Sequence, residues 1–578
     1  MITNEQFKDK DPKKTVELIK SILDEMEVKT KENWCEDSEV GTASLRLTFD
    51  GIDEGTNGKG IDRDYALASA YGEFMERYQN QAFDFQYLSE KECADSVNGI
   101  KKTFDDVVDQ DKSVFEPIVK VIREGLDCVN NDSCICHSFY SVKKQKMVFV
   151  PELYLSMFGT NGMSGGNSFE EALVQALAEV IERYVLKKIY IEKPSLPDIP
   201  DSYIEKMPSV CKMIKKLREN EDYNVVLKDA SFGGKYPVAC LLIVEKNTGR
   251  YGIKLGCHPN YTIAIERSIT EAAQNEKIFD YVNRSIFSFD DNNNLWNNYL
   301  HGFRTGEGSY PYETVLFKSD NFVPYEDVTG LSNADLAKKM IEFIVKEEGK
   351  DVMIRDVSYT DYYSCHVIVP NYSEVGIFDE LNLKKGFASG YAARLASNLN
   401  EIDNDGIKKF IIGVRCINSG KTVEEQVIPK YARRHYPFNR KGTCTAEVYA
   451  LALGYISLNE YENALGYYKA LINCDYWSEK QYERLFAEKT YCEGMIRFGN
   501  HLKTIDNIQI LLSPKWIEHL KTLFKDQYGI FKRAYPSIVP KMDNEQILSE
   551  KYDAAMRKII LSSANRVEKF EEWCSINL

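Results

Sequence analysis

Histidine is scarce in this chain, with seven in 578 residues, and none stands in the Glu-x-x-His pattern that a di-iron carboxylate bundle takes from paired helices. Also missing is any uninterrupted apolar run long enough to span a bilayer. The N-terminus, MITNEQFKDKDPKKTVELIK, is charged from the start and has no apolar signal region, which reads as a cytosolic protein with no membrane partner. Net positive charge is absent as well. The balance of 73 basic and 88 acidic residues is −15, with a pI near 5.3, which excludes sequence-independent attraction to nucleic acid or anionic lipid as the basis of function. Fourteen cysteines are scattered without a disulfide framework. One cluster, Cys134, Cys136 and His137 in NNDSCICHSF, holds soft ligands that zinc could use, but a structural site takes four ligands from paired motifs and no partner pair is evident. The alternative is an ordinary cysteine pair at a strand edge.

Apolar residues make up 43% of the chain, enough to bury a large core, and the length suits more than one domain. Residues 11–28, DPKKTVELIKSILDEMEV, follow a helical period after a Pro-bearing start, so a helix is expected to begin near Thr15. The segment VACLLIVEKNTGRYGIKLGC (238–257) consists of β-branched runs broken by Asn-Thr-Gly, a β-hairpin pattern. Helices and strands alternate irregularly as far as about residue 380, which favours an α/β or mixed α+β domain. From about 386 the texture is helix-forming with little strand signal, which divides the chain into 1–385 and a helical 386–578. Within 446–472, Ala452, Tyr455, Tyr461, Ala464 and Tyr468 have the spacing of a tetratricopeptide-type hairpin. An ordinary helical bundle is the alternative, since one unit is clear and a stack needs about three.

One pattern is written twice: TNGKGIDRDYALASAYGEFMERY at 56–78 and TNGMSGGNSFEEALVQALAEVIERY at 160–184. Each Glu-x-x-Glu-Arg sets two carboxylates and a guanidinium on one helix face, with Ser69, Glu73, Glu76 and Arg77 in the first and Glu171, Gln175, Glu179, Glu182 and Arg183 in the second. Taken singly, Glu73 to Arg77 and Glu179 to Arg183 are solvent-exposed i,i+4 ion pairs worth about 0.3–0.5 kcal/mol each. The recurrence argues otherwise. So do the apolar neighbours Ala66, Leu67, Ala70, Phe74, Ala172, Leu173, Ala176, Leu177, Val180 and Ile181, which leave little of either helix for solvent, and buried glutamates need cations. Carboxylate oxygens suit Mg2+ or Mn2+, and Mg2+ keeps company with phosphate. The glycine-bearing loops offer backbone N–H groups in front of helix N-termini, with Lys59 a candidate phosphate partner. Neither loop has P-loop spacing. A third segment, HPNYTIAIERSITEAAQNEK (258–277), carries Arg267 and Glu271 at i and i+4.

Together the three segments resemble the YcaO family, whose members carry S-x-x-x-E-x-x-E-R, then E-x-x-x-Q-x-x-x-E-x-x-E-R after a glycine-containing loop, then R-x-x-x-E. The likeness extends from the N-terminal helix to about residue 380, and the helical remainder looks like that of stand-alone bacterial members with a tetratricopeptide-like tail. The resemblance implies a mixed α/β ATP-binding domain without a P-loop. By matching position it implies that Glu73, Glu76, Glu179, Glu182 and Glu271 hold Mg2+. It implies that Ser69, Ser164, Asn167, Glu171, Gln175, Arg183 and Arg267 contact ATP, with Lys59 near phosphate. A family lysine and hydroxyl fall at Lys10 and Thr15, where the spacing is shorter and threonine replaces serine.

In the family, ATP phosphorylates a peptide amide oxygen after a nucleophile has added to the carbonyl, giving an azoline, thioamide or amidine. Azoline-forming members commonly end in a Pro-rich tail, whereas this chain ends EEWCSINL. The stand-alone branch is associated with β-methylthiolation of an aspartate on a small-subunit ribosomal protein, alongside a radical-SAM methylthiotransferase, and a homodimer fits the resemblance. Two other classes compete with an ATP-dependent enzyme on a peptide or protein substrate. One is a nucleotide-binding scaffold recruiting partners through its helical tail. The other is a structural helical protein with surface ion pairs and no nucleotide.

Overall fold

The computed structural model describes residues 7–578 except 38–40, 84–85, 87–98, 126–132, 275–276, 305–307, 320, 376–387, 389–391, 394, 397–398, 401, 418–425, 429–432, 434–435, 441, 475, 528, 536–543 and 564–565. Asp11 accepts the Lys13 N–H and Pro12 supplies the φ of a first helical turn, so helix α1 (Pro12–Glu25) starts at Pro12, three residues before the expected Thr15. Strands β1 (Thr30–Asp37), β2 (Thr42–Phe49) and β3 (Gly55–Gly60) form an antiparallel sheet. Helices α1 and α2 (Arg63–Gln79) pack on it through Val16, Ile19, Ala66, Ala70 and Phe74.

Next come β4 (Ile100–Thr103), β5 (Ser133–Ser141), β6 (Lys146–Pro151), β7 (Met163–Gly166) and the long α3 (Phe169–Glu192). The antiparallel hairpin read from 238–257 is present as β9 (Val238–Glu245) and β10 (Arg250–Cys257), preceded by β8 (Tyr223–Asp229). Its turn needs left-handed backbone at Asn247 and Gly249, with φ 66° and 72°. With α4 (Tyr261–Ala272) packed on it and β11 (Ser285–Ile286) at its edge, this is a four-stranded sheet in the order β11-β10-β9-β8. After α5 (Leu295–Arg304) and α6 (Asn333–Glu342), strands β12 (Met353–Asp356) and β13 (Tyr363–Ile368) complete a six-stranded sheet. Its path is β4-β5-β12-β13-β7, with β6 beside β5. Helix α3 lies between the larger sheets. Its Ala176, Leu177 and Val180 share one core with Val238, Leu242 and Leu255 on one side and Ile354, Cys365 and Val367 on the other. The chain up to β13 is thus mixed α/β.

Cys134 and Cys136 do not lie at a strand edge. They are buried on β5, opposite Lys102 and Ile100 of β4, with Cys136 also facing Pro151 of β6, and their Sγ atoms are 3.7 Å apart. Among the described residues no group of three His, Cys, Asp or Glu side chains is placed to hold a metal ion.

The expected boundary at 385/386 falls outside the described residues, and the chain beyond it divides in two. Described residues from 388 to 535 are helical with a core of their own. It includes the hairpin α7 (Thr445–Ser457) and α8 (Tyr461–Ile472), where Ala452, Ala464 and Tyr468 are buried and Tyr455 stacks on Tyr467, followed by α9 (Glu479–Phe498). Helices α10 (Asn544–Ser562) and α11 (Arg566–Asn577) instead return to the α/β part. Tyr552 stacks on Phe49, its carbonyl accepts the Tyr78 hydroxyl, and Met556 and Ile560 join the α1–α2 core. Phe570 and Trp573 pack edge-on against Phe169 at the start of α3. The sequence texture missed this because both segments are helical and differ only in what they pack against. Among the described residues no helix is long and apolar enough to cross a membrane.

Met556 is fully buried against the core that carries α2. Met556→Ala is expected to cost about 2–5 kcal/mol, read as a lower urea midpoint for loss of the α/β part by near-UV circular dichroism.

Candidate functional site

Three strand-to-helix units meet at one cleft. In each, a strand glycine lets a helix backbone lie directly on the strand. A Cβ on Gly58 of β3 would stand 2.2 Å from the Ala66 carbonyl oxygen of α2, one on Gly166 of β7 2.5 Å from the Ala172 nitrogen of α3, and one on Gly256 of β10 2.2 Å from the Ala264 carbonyl oxygen of α4. Of the two Thr-Asn-Gly segments expected as phosphate-facing loops, the first lies within strand β3, while Thr160, Asn161 and Gly162 form a turn that leads into β7. Some of the N–H groups beyond them are taken. Asp62 accepts from Tyr65 N, Ser168 Oγ from Glu171 N, and a Glu171 oxygen from Asn167 N. Side-chain capping thus takes part of the donor set that an anion was expected to find.

The cleft, about 690 Å³, is lined by all fifteen residues singled out from the sequence. Helix α2 contributes Ser69, Glu73 and Glu76, β3 contributes Lys59, and α4 contributes Arg267 and Glu271. Ser164 of β7, Asn167, and Glu171, Gln175, Glu179, Glu182 and Arg183 of α3 form the facing wall, with Lys10 and Thr15 at the N-terminal rim.

The structure decides between surface ion pairs and a cleft. Arg77 reaches Glu73 and Glu76 at 3.5 Å each, and all three are half-buried or buried. Arg183 lies over the Phe303 ring, 4.9 Å from its centroid. Lys59 pairs with Glu271 and donates to Gln274 at 3.4 Å, while Arg267 donates to the Cys257 carbonyl at 2.8 Å and to Gln175. Thr15 donates to Asn167 at 2.8 Å. Glu171 accepts from Lys8 and from the Asp9 N–H, both at 3.0 Å. Burial alone would raise the Glu171 pKa, but Lys8, the Asp9 N–H and Asn167 together hold it below the ordinary carboxylate value. Of the two N-terminal lysines, Lys8 rather than Lys10 makes this contact, while Lys10 is solvent-exposed at the rim.

Carboxylate is in excess at the centre. Burial raises Glu76 and Glu179, and Glu73 adds to both, with Arg77 opposing in each case and Arg183 also opposing at Glu179. Glu182 is pushed up to about 7, by burial first and then by Glu271 and Glu179, with Arg183 and Lys59 opposing. Two buried polar atoms on the walls, Ser164 Oγ and Arg183 Nε, have no hydrogen-bond partner among the described residues. These features fit a divalent cation with a polyphosphate: carboxylates short of positive charge, beside a hydroxyl and a guanidinium short of an acceptor. The glutamates are too dispersed to ligate an ion as a triad, which suits Mg2+, since that ion takes one or two carboxylates with phosphate and water.

Lys8, Lys254, Gln274 and Phe303 also line the cleft and were not singled out from the sequence. Lys8 and Phe303 arrive from segments far away in the chain and leave no local signal. Lys254 had one, a lysine inside the apolar strand YGIKLGC.

The family described as YcaO cyclodehydratase, ATP- and Mg2+-binding, matches residues 57–373. An uncharacterized protein of Haemophilus influenzae is 32% identical over 352 residues, covering 56% of this chain and 58% of its own. The ribosomal protein S12 methylthiotransferase accessory factor YcaO of Escherichia coli is 32% identical over 347 residues, covering 55% and 57%. The matches thus span a little over half the length of these relatives. Among solved structures, YcaO from Methanopyrus kandleri bound with AMPPCP and Mg2+ shows 16% identity and a TM-score of 0.39, covering 64% of this chain and 92% of that one. A heterocyclase in complex with substrate and cofactor shows 17% identity and a TM-score of 0.45, covering 64% and 54%. These two likenesses are too distant to carry an argument.

Glu182 has a sign to its pH dependence. The folded protein keeps a proton on it up to about 7, while an unperturbed glutamate releases one near 4.5. In that window the folded state binds more protons, so this group's contribution to stability is lost as pH rises from about 4.5 to about 7. Without metal, Glu182→Gln is expected to match the wild type in melting temperature below pH 4.5 and to exceed it above pH 7, measured by calorimetry across the range.

Proposed function

Since the chain belongs to the YcaO family, an ATP- and Mg2+-binding family, we propose that it is a cytoplasmic ATP- and Mg2+-dependent enzyme that activates an amide oxygen of a peptide or protein by phosphorylation. The single observation that carries this reading is the excess of buried carboxylate in one cleft, set beside unpartnered Ser164 Oγ and Arg183 Nε. When bound, ATP supplies the phosphoryl group and Mg2+ neutralises charge on it. Glu73, Glu76 and Glu179 from two helices, with Glu182 and Glu271, would hold the magnesium ions, one or two carboxylates to each. Ser69, Ser164, Asn167, Glu171, Gln175, Arg183 and Arg267 would orient the nucleotide, and Lys59, released from Glu271, would meet phosphate. Thr15 and Lys10 would close the N-terminal side. The substrate's amide oxygen is a poor leaving group until it departs as phosphate. That departure follows addition of a nucleophile to the carbonyl carbon, with arginines stabilising the transferring charge.

For the biological role we infer an accessory part in β-methylthiolation of an aspartate in a small-subunit ribosomal protein, alongside a radical-SAM methylthiotransferase. The link to a ribosomal protein methylthiotransferase rests on the name of the 32% identical E. coli relative, and the aspartate target and radical-SAM partner rest on the family resemblance alone. A second reading, a nucleotide-binding scaffold with a tetratricopeptide-like recruiting surface and little turnover, draws on the separate core of residues 388–535. It also draws on the exposure of Leu502, Ile510 and Leu511 there, at 72%, 88% and 61%. Turnover with a candidate protein substrate, compared with ATP alone, separates the two.

Titration calorimetry with ATP and Mg2+ is expected to show Glu73→Ala and Glu179→Ala each binding at least about tenfold more weakly and losing metal dependence. Wild-type affinity and metal response in both variants would sink the site assignment.

A further inference from the structure

We propose that Lys254 is a phosphate-binding residue of this cleft, its ammonium contacting the polyphosphate of the nucleotide; the inference rests on the nucleotide reading above. Lys254 is the middle of three residues, Gly252, Lys254 and Gly256, that share one face of β10. The flanking glycines bring neighbours hard against the strand. A Cβ on Gly252 would stand 2.5 Å from the Tyr281 ring, and one on Gly256 2.5 Å from the Ser268 nitrogen of α4. The lysine stem therefore runs between an aromatic ring and a helix. The ring is itself fixed, since the Tyr281 hydroxyl donates to the Ile253 carbonyl at 2.9 Å.

Most other inner cations of the cleft are already engaged, the exception being Arg183, whose Nε has no partner among the described residues. Lys59 pairs with Glu271, Arg77 with Glu73 and Glu76, and Lys8 with Glu171, while Arg267 donates to Gln175 and the Cys257 carbonyl. Lys254 makes no hydrogen bond or ion pair among the described residues. Its contact is the face of Tyr281, with Nζ 5.1 Å from the ring centroid. Burial lowers its pKa; Glu271 and Glu182 oppose the shift, while Arg183 and Lys59 add to it. An ammonium withdrawn from water and held against a ring alone is short of an anion. The groups whose fields it feels, Glu271, Glu182, Arg183 and Lys59, belong to the phosphate and metal end of the proposed site. A lysine there supplies a compact point charge to phosphate oxygens.

The rival explanation is plain charge balance for the glutamates. The two differ in which ligands feel the loss. Calorimetry on the full chain with Mg2+ and ATP, ADP, AMP or adenosine, comparing wild type with Lys254→Met and Lys254→Arg, separates them. Phosphate contact predicts a loss of about 10–100-fold for ATP in the Met variant, a smaller loss for AMP, none for adenosine, and partial recovery with Arg. The ligand-free melting temperature should not fall, since an unpaired, half-buried charge has been removed. Equal losses for ATP and adenosine, or ATP bound equally by wild type and Lys254→Met, overturn the inference while leaving the nucleotide reading intact. No ATP binding by the wild type removes both. Lys254→Gln, which keeps a polar tip, repeats the comparison should the Met variant fail to fold.

Discussion

Contact between a strand backbone and a helix backbone, with no side chain between them, is the constraint from which the cleft is built. At Gly58, Gly166 and Gly256 the first turns of α2, α3 and α4 rest on strand main chain, and any Cβ would stand at 2.2 to 2.5 Å from helix backbone atoms. Fixing the start of a helix fixes the direction of its later turns. Glu73, Glu179 and Glu271 all lie within two turns of the residue touched, so three separate sheets deliver carboxylates into one volume. The same closeness explains why glycine recurs in segments whose backbone is otherwise ordinary extended strand.

The price of that convergence is electrostatic. Seven glutamates share the cleft lining with four lysines and three arginines, and each of those arginines also has a second duty: Arg77 bridges two acids, Arg183 lies over Phe303, and Arg267 anchors a carbonyl. The deficit of positive charge at the centre surfaces in the raised protonation of Glu76, Glu179 and Glu182. Glu171 escapes it because the N-terminal segment brings Lys8 and the Asp9 N–H to its oxygens. An acid on the same helix therefore has a different chemistry from its neighbours, set by what reaches it from outside.

Much of this was legible in the residues, and the limits have physical causes. Period and spacing identify helices α2, α3 and α4, their acidic faces and the 238–257 hairpin, since each signal is local. They misread β3 and β7 as loops because glycine-rich runs normally mark turns, and only the packed helix shows that the glycines serve close approach. They pass over Lys8 and Phe303, whose placement depends on long-range packing. Helices α10 and α11 read as continuous with the preceding helical region because amphipathic period reports that a face is buried and not what covers it.

That last feature bears on the order in which the protein can be made. Tyr552, Met556 and Ile560 are parts of the core that holds α2, and Phe570 and Trp573 brace the first turn of α3. Two of the three glutamate-bearing helices, α2 and α3, thus lean on residues translated more than 350 positions after the second of them. During synthesis the emerging chain has its acidic faces but not the packing that seats them, and it waits with exposed apolar surface until residues 544–577 leave the ribosome.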